Sequence, residues 1–113
     1  MIKAFLLDVQ KTEEERMAGN LHDLLLDEKC SFVGLDEAVF LMDEAMDLKE
    51  DRAKIREKWC YMPMNMKDSS RFYIRILFRE QNTWQGEVTT IRTGRKEYFR
   101  NVMELLRIVS GNN

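Results

Sequence analysis

The 113-residue chain reads as an α+β domain of two tandem β-β-(β)-α repeats that share one antiparallel sheet, with the helices packed on one of its faces. Three observations predict this. First, the chain superposes on itself without a gap at a shift of 67 positions: Phe5 falls on Phe72, Glu13 on Glu80, Gly19 on Gly86, Lys29 on Lys96, Phe32 on Phe99 and Glu37 on Glu104. Self-similarity at a fixed offset is the mark of a repeated supersecondary unit. Second, Arg71 to Val109 reads strand, turn, strand, turn, helix, with strict alternation giving way to helical spacing. Third, the apolar positions Leu35, Ala38, Val39 and Met42 of one candidate helix lie 67 residues before Val102, Leu105, Leu106 and Val109 of another. Neither half is long enough to bury a core comfortably by itself, so the repeats must pack on each other. The expected layout is a single domain: repeat one over 1–47, a helical and Met-rich connector over 48–67, and repeat two over 68–113.

Ala4 to Val9 alternates, with Phe5, Leu7 and Val9 on one side, as in a half-buried strand. From Glu13 to Leu26 two signals conflict. The residues are good helix formers, and Met17, Leu21, Leu24 and Leu25 could form a helical stripe. The repeat instead sets Met17, Gly19, Leu21 and Leu24 on Trp84, Gly86, Val88 and Ile91 of a strand, and the strand is preferred. Asp27-Glu28-Lys29 reads as a turn, Cys30 to Val33 as a short extended piece, and Gly34 to Asp47 as a helix. Gly34 suits the N-cap, with Glu37 three residues on. Leu35, Ala38, Val39, Met42 and Met46 form its apolar stripe.

The connector begins helix-prone over Glu50 to Trp59, either extending the first helix or forming another, and Pro63 ends any helix before it. Tyr61 to Met66 is a Met-rich loop, read as lying over the core. In repeat two, Arg71 to Arg79 is a strand with Phe72, Ile74, Ile76 and Phe78 on one side and Arg71, Tyr73, Arg75, Leu77 and Arg79 on the other. Trp84 to Ile91 is the next strand, where Gly86 signals a bulge or a close backbone approach. Thr93-Gly94-Arg95 marks a hairpin and Lys96 to Phe99 a third strand. Asn101 caps the last helix, with Glu104 at the capping-box position and Gly111 at its end.

Several of these residues carry a resemblance. The strand Phe72-Tyr73-Ile74-Arg75-Ile76-Leu77-Phe78-Arg79, the run Asn82-Thr83-Trp84-Gln85-Gly86, and Phe99-Arg100-Asn101 leading into Glu104-Leu105-Leu106 resemble a family of small uncharacterised proteins of Gram-positive anaerobes. Its pattern is an arginine-bearing strand, an N-x-W-Q-G turn and strand, and an F-R-S-x-L-E-L helix start. Asn101 stands in place of Ser, and either caps a helix. The resemblance covers residues 71–109; in the first half Trp-Gln-Gly has become Met17-Ala18-Gly19. That family has no established activity, so the resemblance implies a fold unit and supplies no site residues.

Composition narrows the function classes. The net charge is −2 and the sequence pI about 5.5, yet residues 1–57 carry −7 and residues 58–113 carry +5. Charge complementarity between two packed repeats is preferred over an acidic arm and a basic binding half, because neither half holds a long like-charge block. The acidic and basic interruptions of the first ten residues argue against a signal peptide. No apolar run reaches the about 20 residues that a membrane span needs. Cys30 and Cys60 are far apart and read as free thiols of a cytoplasmic protein rather than a disulfide.

Catalytic chemistry has little to stand on. His22 is the one histidine, and pairing it with Cys30 as base and nucleophile lacks an orienting third group and an oxyanion hole. There is no phosphate-binding glycine motif and no calcium loop. The expectation is no enzyme, no cofactor and no metal. The candidate binding face is Arg71, Tyr73, Arg75, Arg79 and Trp84, with Trp84 read as core in preference to a surface anchor. The function expected is a non-catalytic binding or regulatory module for a protein partner, or for self-association as a dimer. The alternative is single-stranded nucleic-acid binding, in which guanidinium groups and an aromatic ring share one strand face. Its bland counterpart is a wet sheet face whose arginines pair with neighbours such as Glu87.

Overall fold

A computed structural model of the chain describes residues 3–11, 16–25, 27–47, 69–80 and 83–111. The readings of Cys60, Trp59, Pro63 and the Met-rich connector fall outside these residues. The elements in order are β1 (Lys3–Lys11), β2 (Met17–Asp23), β3 (Glu28–Val33), α1 (Leu35–Asp47), β4 (Ser69–Glu80), β5 (Thr83–Thr90), β6 (Arg95–Phe99) and α2 (Val102–Ser110). The six strands form one antiparallel sheet in the order β3-β2-β1-β4-β5-β6. Both helices cover the same face, because their apolar residues and those of every strand belong to a single buried cluster.

The sheet is assembled from two three-stranded meanders joined at their first strands. β1 and β4 pair with Leu6 opposite Tyr73, and the ladder runs from Lys3–Ile76 to Gln10–Ser69. Leu6 and Tyr73 are 67 positions apart, so the ladder is centred on the two residues the sequence shift equates. The other registers agree as well. Val9 lies opposite Gly19 and Ile76 opposite Gly86; Gly19 lies opposite Phe32 and Gly86 opposite Phe99. α1 begins at Leu35 and α2 at Val102, again 67 positions apart.

The core face is built from alternate residues of each strand. Phe5, Leu7 and Val9 of β1 and Phe72, Ile74 and Ile76 of β4 form its centre; Leu21, Cys30, Phe32, Val88 and Phe99 extend it outward. The segment 17–23 is a strand despite its helix-forming residues. It lies between β1 and β3, and Ala18, Gly19, Asn20, Leu21 and Asp23 are all buried there. Tertiary pairing has overridden intrinsic propensity. A buried ion pair closes one end of the face. Lys3 Nζ lies 2.7 Å from Asp23 Oδ2, and the other Asp23 oxygen accepts the Leu25 backbone N–H.

Two glycines are required by close backbone approach. A Cβ on Gly19 would lie 1.7 Å from the Asp8 carbonyl oxygen, and one on Gly86 would lie 1.9 Å from that of Arg75. These are the same place in the two halves, and in both the obstacle is a neighbouring strand's backbone rather than a flexible side chain. Gly34, which opens α1, has φ +93 and donates its N–H to the Met17 carbonyl, while its own carbonyl accepts from Ala38.

The helices differ in how they are held. α1 buries Ala38, Leu41, Met42, Ala45 and Met46, a wider stripe than the spacing alone predicts, with Leu35 and Val39 half-buried. α2 buries Leu105 and Val109 fully, and Val102 and Leu106 lie at the margin of the core. Asn101 is its N-cap: Oδ1 accepts the Glu104 N–H at 2.9 Å. The reciprocal bond differs from a standard capping box, because Glu104 Oε1 accepts from the backbone N–H of Arg100, one residue before the cap. Gly111 ends the helix in the left-handed region at φ 78.

Two expected outcomes follow from these contacts. Gly86→Ala should lower the unfolding free energy by about 1–3 kcal/mol or more, since the added methyl meets a backbone carbonyl, and Gly19→Ala should behave alike. A denaturant midpoint unchanged in both variants would contradict the close approach. The second concerns acid. The Arg100 backbone N–H, donating to Glu104, is the chief cause that holds its carboxyl below the usual value, and the Arg100 and Arg107 charges act in the same direction. The folded-state value lies below the unfolded one, so this stabilisation is complete above the unfolded carboxyl value, about 4.3, and is lost as pH falls through the lowered folded value. Glu104→Gln keeps an acceptor oxygen and removes the titration. Its Tm should therefore fall less steeply than the wild type's below about pH 4.5, and parallel curves in thermal melts would refute the assignment.

Candidate binding face

The sheet face opposite the helices carries alternate residues of all six strands. Taken across the sheet, one row is Lys29, His22, Leu6, Tyr73, Thr89 and Lys96. A second row is Ser31, Asn20, Asp8 and Arg71; a third is Ala4, Arg75, Glu87 and Tyr98. Three of the five expected face residues, Arg71, Tyr73 and Arg75, therefore share this surface.

Arg79 and Trp84 do not, and a bulge is the reason. Between Ile76–Gly86 and Phe78–Gln85 the β4–β5 register shifts, so β4 carries one extra residue. Alternation is reset at that point. Phe78, read as facing the core, emerges on the open face beside Gln85, Thr83 and Glu80. Arg79 moves to the helix face, where its Nη2 lies 2.6 Å from Asp43 Oδ1 on α1. Trp84, opposite Arg79, is 2% exposed and belongs to the core. The preference for Trp84 as core therefore agrees with its position, and its inclusion in the face does not.

The arginines of the open face are engaged with carboxylates. Arg71 Nε bonds Asp8 Oδ1 at 2.6 Å across the β1–β4 ladder. Arg75 Nη1 and Lys96 Nζ each lie 3.6 Å from Glu87 Oε2. Such pairs, half-exposed to solvent, stabilise by no more than about 1 kcal/mol each, but they neutralise much of the positive field. The apolar part of the face lies in the second half. Leu77, Phe78 and Tyr98 are exposed there, Tyr98 to 71% on the edge strand β6. Val33 is exposed at the opposite edge.

The first half of the face holds a cavity of about 150 Å³, lined by Leu6, Asp8, Asn20, His22, Lys29 and Arg71. Its residues come from β1, β2, β3 and β4. His22 Nε2 lies 2.8 Å from Asp27 Oδ1, in the turn that leads into β3. Sequence reasoning singled out Arg71 among these residues and favoured a solvated or hydrogen-bonded His22 over a catalytic one, which agrees with its bond to Asp27. Asn20 and Lys29 carry no motif, and the one signal for them is their position 67 residues before Glu87 and Lys96.

Cys30 is buried in the core, with its Sγ 3.3 Å from the Ser31 carbonyl oxygen. Opposite Leu21 it lies on the helix face, whereas His22 lies on the open one, so the sheet separates the two groups of the candidate nucleophile–base pair. Among the described residues no group of three His, Cys, Asp or Glu side chains is placed to hold a metal ion, and no helix is long and apolar enough to cross a membrane. No protein-family model, curated protein or solved structure matches the chain.

Proposed function

We propose that the chain is a non-catalytic binding module of the cytoplasm that docks a protein partner on its open sheet face. The observation that carries this is the composition of the face around β4. Exposed Leu77, Phe78 and Tyr98 lie beside arginines that already bond carboxylates. Exposed aromatic and aliphatic groups rimmed by paired charges are the make-up of a protein-docking surface. A nucleic-acid surface needs a strong positive field, and here Asp8 and Glu87, paired with Arg71, Arg75 and Lys96, weaken it. The alternative, single-stranded nucleic acid on Arg71, Tyr73 and Arg75, rests on Tyr73 standing between the two guanidinium-bearing positions of β4.

The architecture behind this face is, in our reading, a tandem duplication of one β-β-β-α unit. The shared registers, the paired glycines and the equal helix starts support it. Self-association through the same face is the second form the docking can take. The resemblance of residues 71–109 to the small anaerobe family fits such a module and adds no ligand.

The test is a tagged pull-down from native lysate, with and without nuclease, using the wild type and the variants Phe78→Ser, Tyr98→Ser and Arg75→Glu. Phe78 and Tyr98 are exposed, so the Ser variants should keep their stability within about 0.5 kcal/mol. The expected result is a protein recovered in stoichiometric amount, indifferent to nuclease, and lost at least tenfold with both Ser variants. Recovery unchanged by Phe78→Ser and Tyr98→Ser would sink the docking face. Nuclease-sensitive and salt-sensitive recovery, abolished by Arg75→Glu, would instead establish the nucleic-acid alternative.

A further inference from the structure

The two helices carry matched outward stripes. α1 packs against β2 and β3, and α2 against β5 and β6, so they cover opposite sides of the core face. Each follows the third strand of its meander, and β3 and β6 run in opposite directions in the sheet. On α1 the residue turned away from the buried Ala38, Met42 and Ala45 is Phe40, 58% exposed, with exposed Asp36 one turn before it. On α2 the side turned away from Leu105 and Val109 carries Met103, 70% exposed, with exposed Arg107 one turn after it. Phe40 and Arg107 hold places 67 positions apart, as do Asp36 and Met103. Each helix therefore presents one apolar side chain and one charge, in exchanged order and with opposite sign. A single exposed apolar residue needs no explanation. The exchange between the two helices does.

We propose that the chain forms a twofold homodimer through its helix layer, with α1 of each copy lying antiparallel on α2 of the other. Laid antiparallel, the helices make both contacts in one register. With Phe40 on the partner's Met103, Asp36 lies on the partner's Arg107, because the members of each stripe are separated by the same single turn. The ring and the thioether form the apolar contact. The ion pair contributes direction and register more than affinity. The stripes continue in the same sense: Asp43 follows Phe40 by one turn and Arg100 precedes Met103 by one turn. Asp43 and Arg100 keep their own partners, Arg79 and Glu104, and add only the complementary sign. A twofold axis parallel to the helices repeats every contact on the other side of the sheet, which closes the assembly at two copies. An axis across the helices would instead lay α1 on α1 and set Asp36 and Glu37 against Asp43, a like-charge arrangement. The interface lies on the face opposite the open sheet face and does not rest on the docking reading. It leaves two open faces pointing outward, so the dimer is bivalent toward a partner that offers two sites.

The experiment is sedimentation equilibrium of the intact chain from about 1 µM to about 100 µM, the range in which a micromolar dimer assembles. The mass should rise with concentration toward twice the 13.5 kDa of one chain. Phe40 and Met103 are exposed, so Phe40→Ser and Met103→Ser keep the fold, and each should weaken dimerisation at least about tenfold. Asp36→Lys and Arg107→Glu should each weaken it, and the two combined should restore it, because the reversed pair is again complementary. Circular dichroism checks that each variant is folded; the two Ser variants decide the matter if the charge variants are not. A monomer at every concentration, a dimer indifferent to both Ser variants, or a folded double charge variant that stays monomeric would each overturn the proposal. A dimer broken by Phe78→Ser and Tyr98→Ser, but not by Phe40→Ser, would place self-association on the open face and overturn it as well.

Discussion

The β1–β4 ladder is the interaction on which the rest of the fold depends. Each meander alone would be a three-stranded sheet with its first strand at an edge, exposing unpaired backbone and half of an apolar face. Pairing β1 with β4 removes both edges at once and brings Phe5, Leu7 and Val9 against Phe72, Ile74 and Ile76 beneath the helices. A one-residue slip of β1 would turn Phe5, Leu7 and Val9 to the open face and bury Asp8, and a slip of β4 would turn out Phe72, Ile74 and Ile76 and bury Arg71 and Arg75. The Arg71–Asp8 pair, which spans the same ladder, is formed only in the observed register. Central pairing therefore fixes three things together: the core, the open face, and the cavity, whose lining includes residues from both halves.

Much of this was legible in the sequence, because apolar alternation and helical spacing report burial directly. The strand over 17–23 was legible only through the internal shift, since its local composition favours helix. The bulge after Ile76 was legible only in part: Gly86, opposite Ile76, signalled a bulge or a close approach, but nothing showed that the extra residue lies on β4. An extra residue leaves the alternation of Phe72, Ile74, Ile76 and Phe78 unbroken on paper, while in space it exchanges Phe78 and Arg79 between faces. That exchange explains why a face drawn from sequence included Arg79 and omitted Phe78. The cavity was hidden for a different reason: its residues are scattered over four strands, and each is unremarkable in its own segment.

The buried Lys3–Asp23 pair shows how charge can specify structure inside an apolar layer. Both side chains are almost fully withdrawn from water, and the Asp23 carboxylate also receives the Leu25 N–H. Desolvating two ions is costly, and their attraction offsets that cost only in good geometry. A misregistered β1 would bury Lys3 without its partner, a state penalised more heavily than the loss of an apolar contact. The pair sits where β2 turns toward β3, so it holds the end of β1 and the start of the turn in one arrangement. Neither residue signals this locally, because the partners are 20 positions apart.

The contrast between core and open face bears on where recognition can reside. At the centre of the core several equivalent positions are alike in both halves, Phe5 and Phe72, Leu7 and Ile74, Leu21 and Val88, and Phe32 and Phe99, whereas Met17 and Trp84, or Cys30 and Glu97, differ. Each of the alike positions must fill a fixed volume under a helix, and close packing tolerates only similar shapes. Most equivalent open-face positions differ in charge or size, as Asp8 and Arg75, Asn20 and Glu87, Ser31 and Tyr98, and Leu6 and Tyr73 do, while Lys29 and Lys96 are the same. Packing places no such demand there, so these differences are free to serve binding. One half presents a cavity lined by Asp8, Asn20, His22, Lys29 and Arg71; the other presents aromatic and aliphatic groups beside Glu87, whose Oε2 lies 3.6 Å from both Arg75 and Lys96.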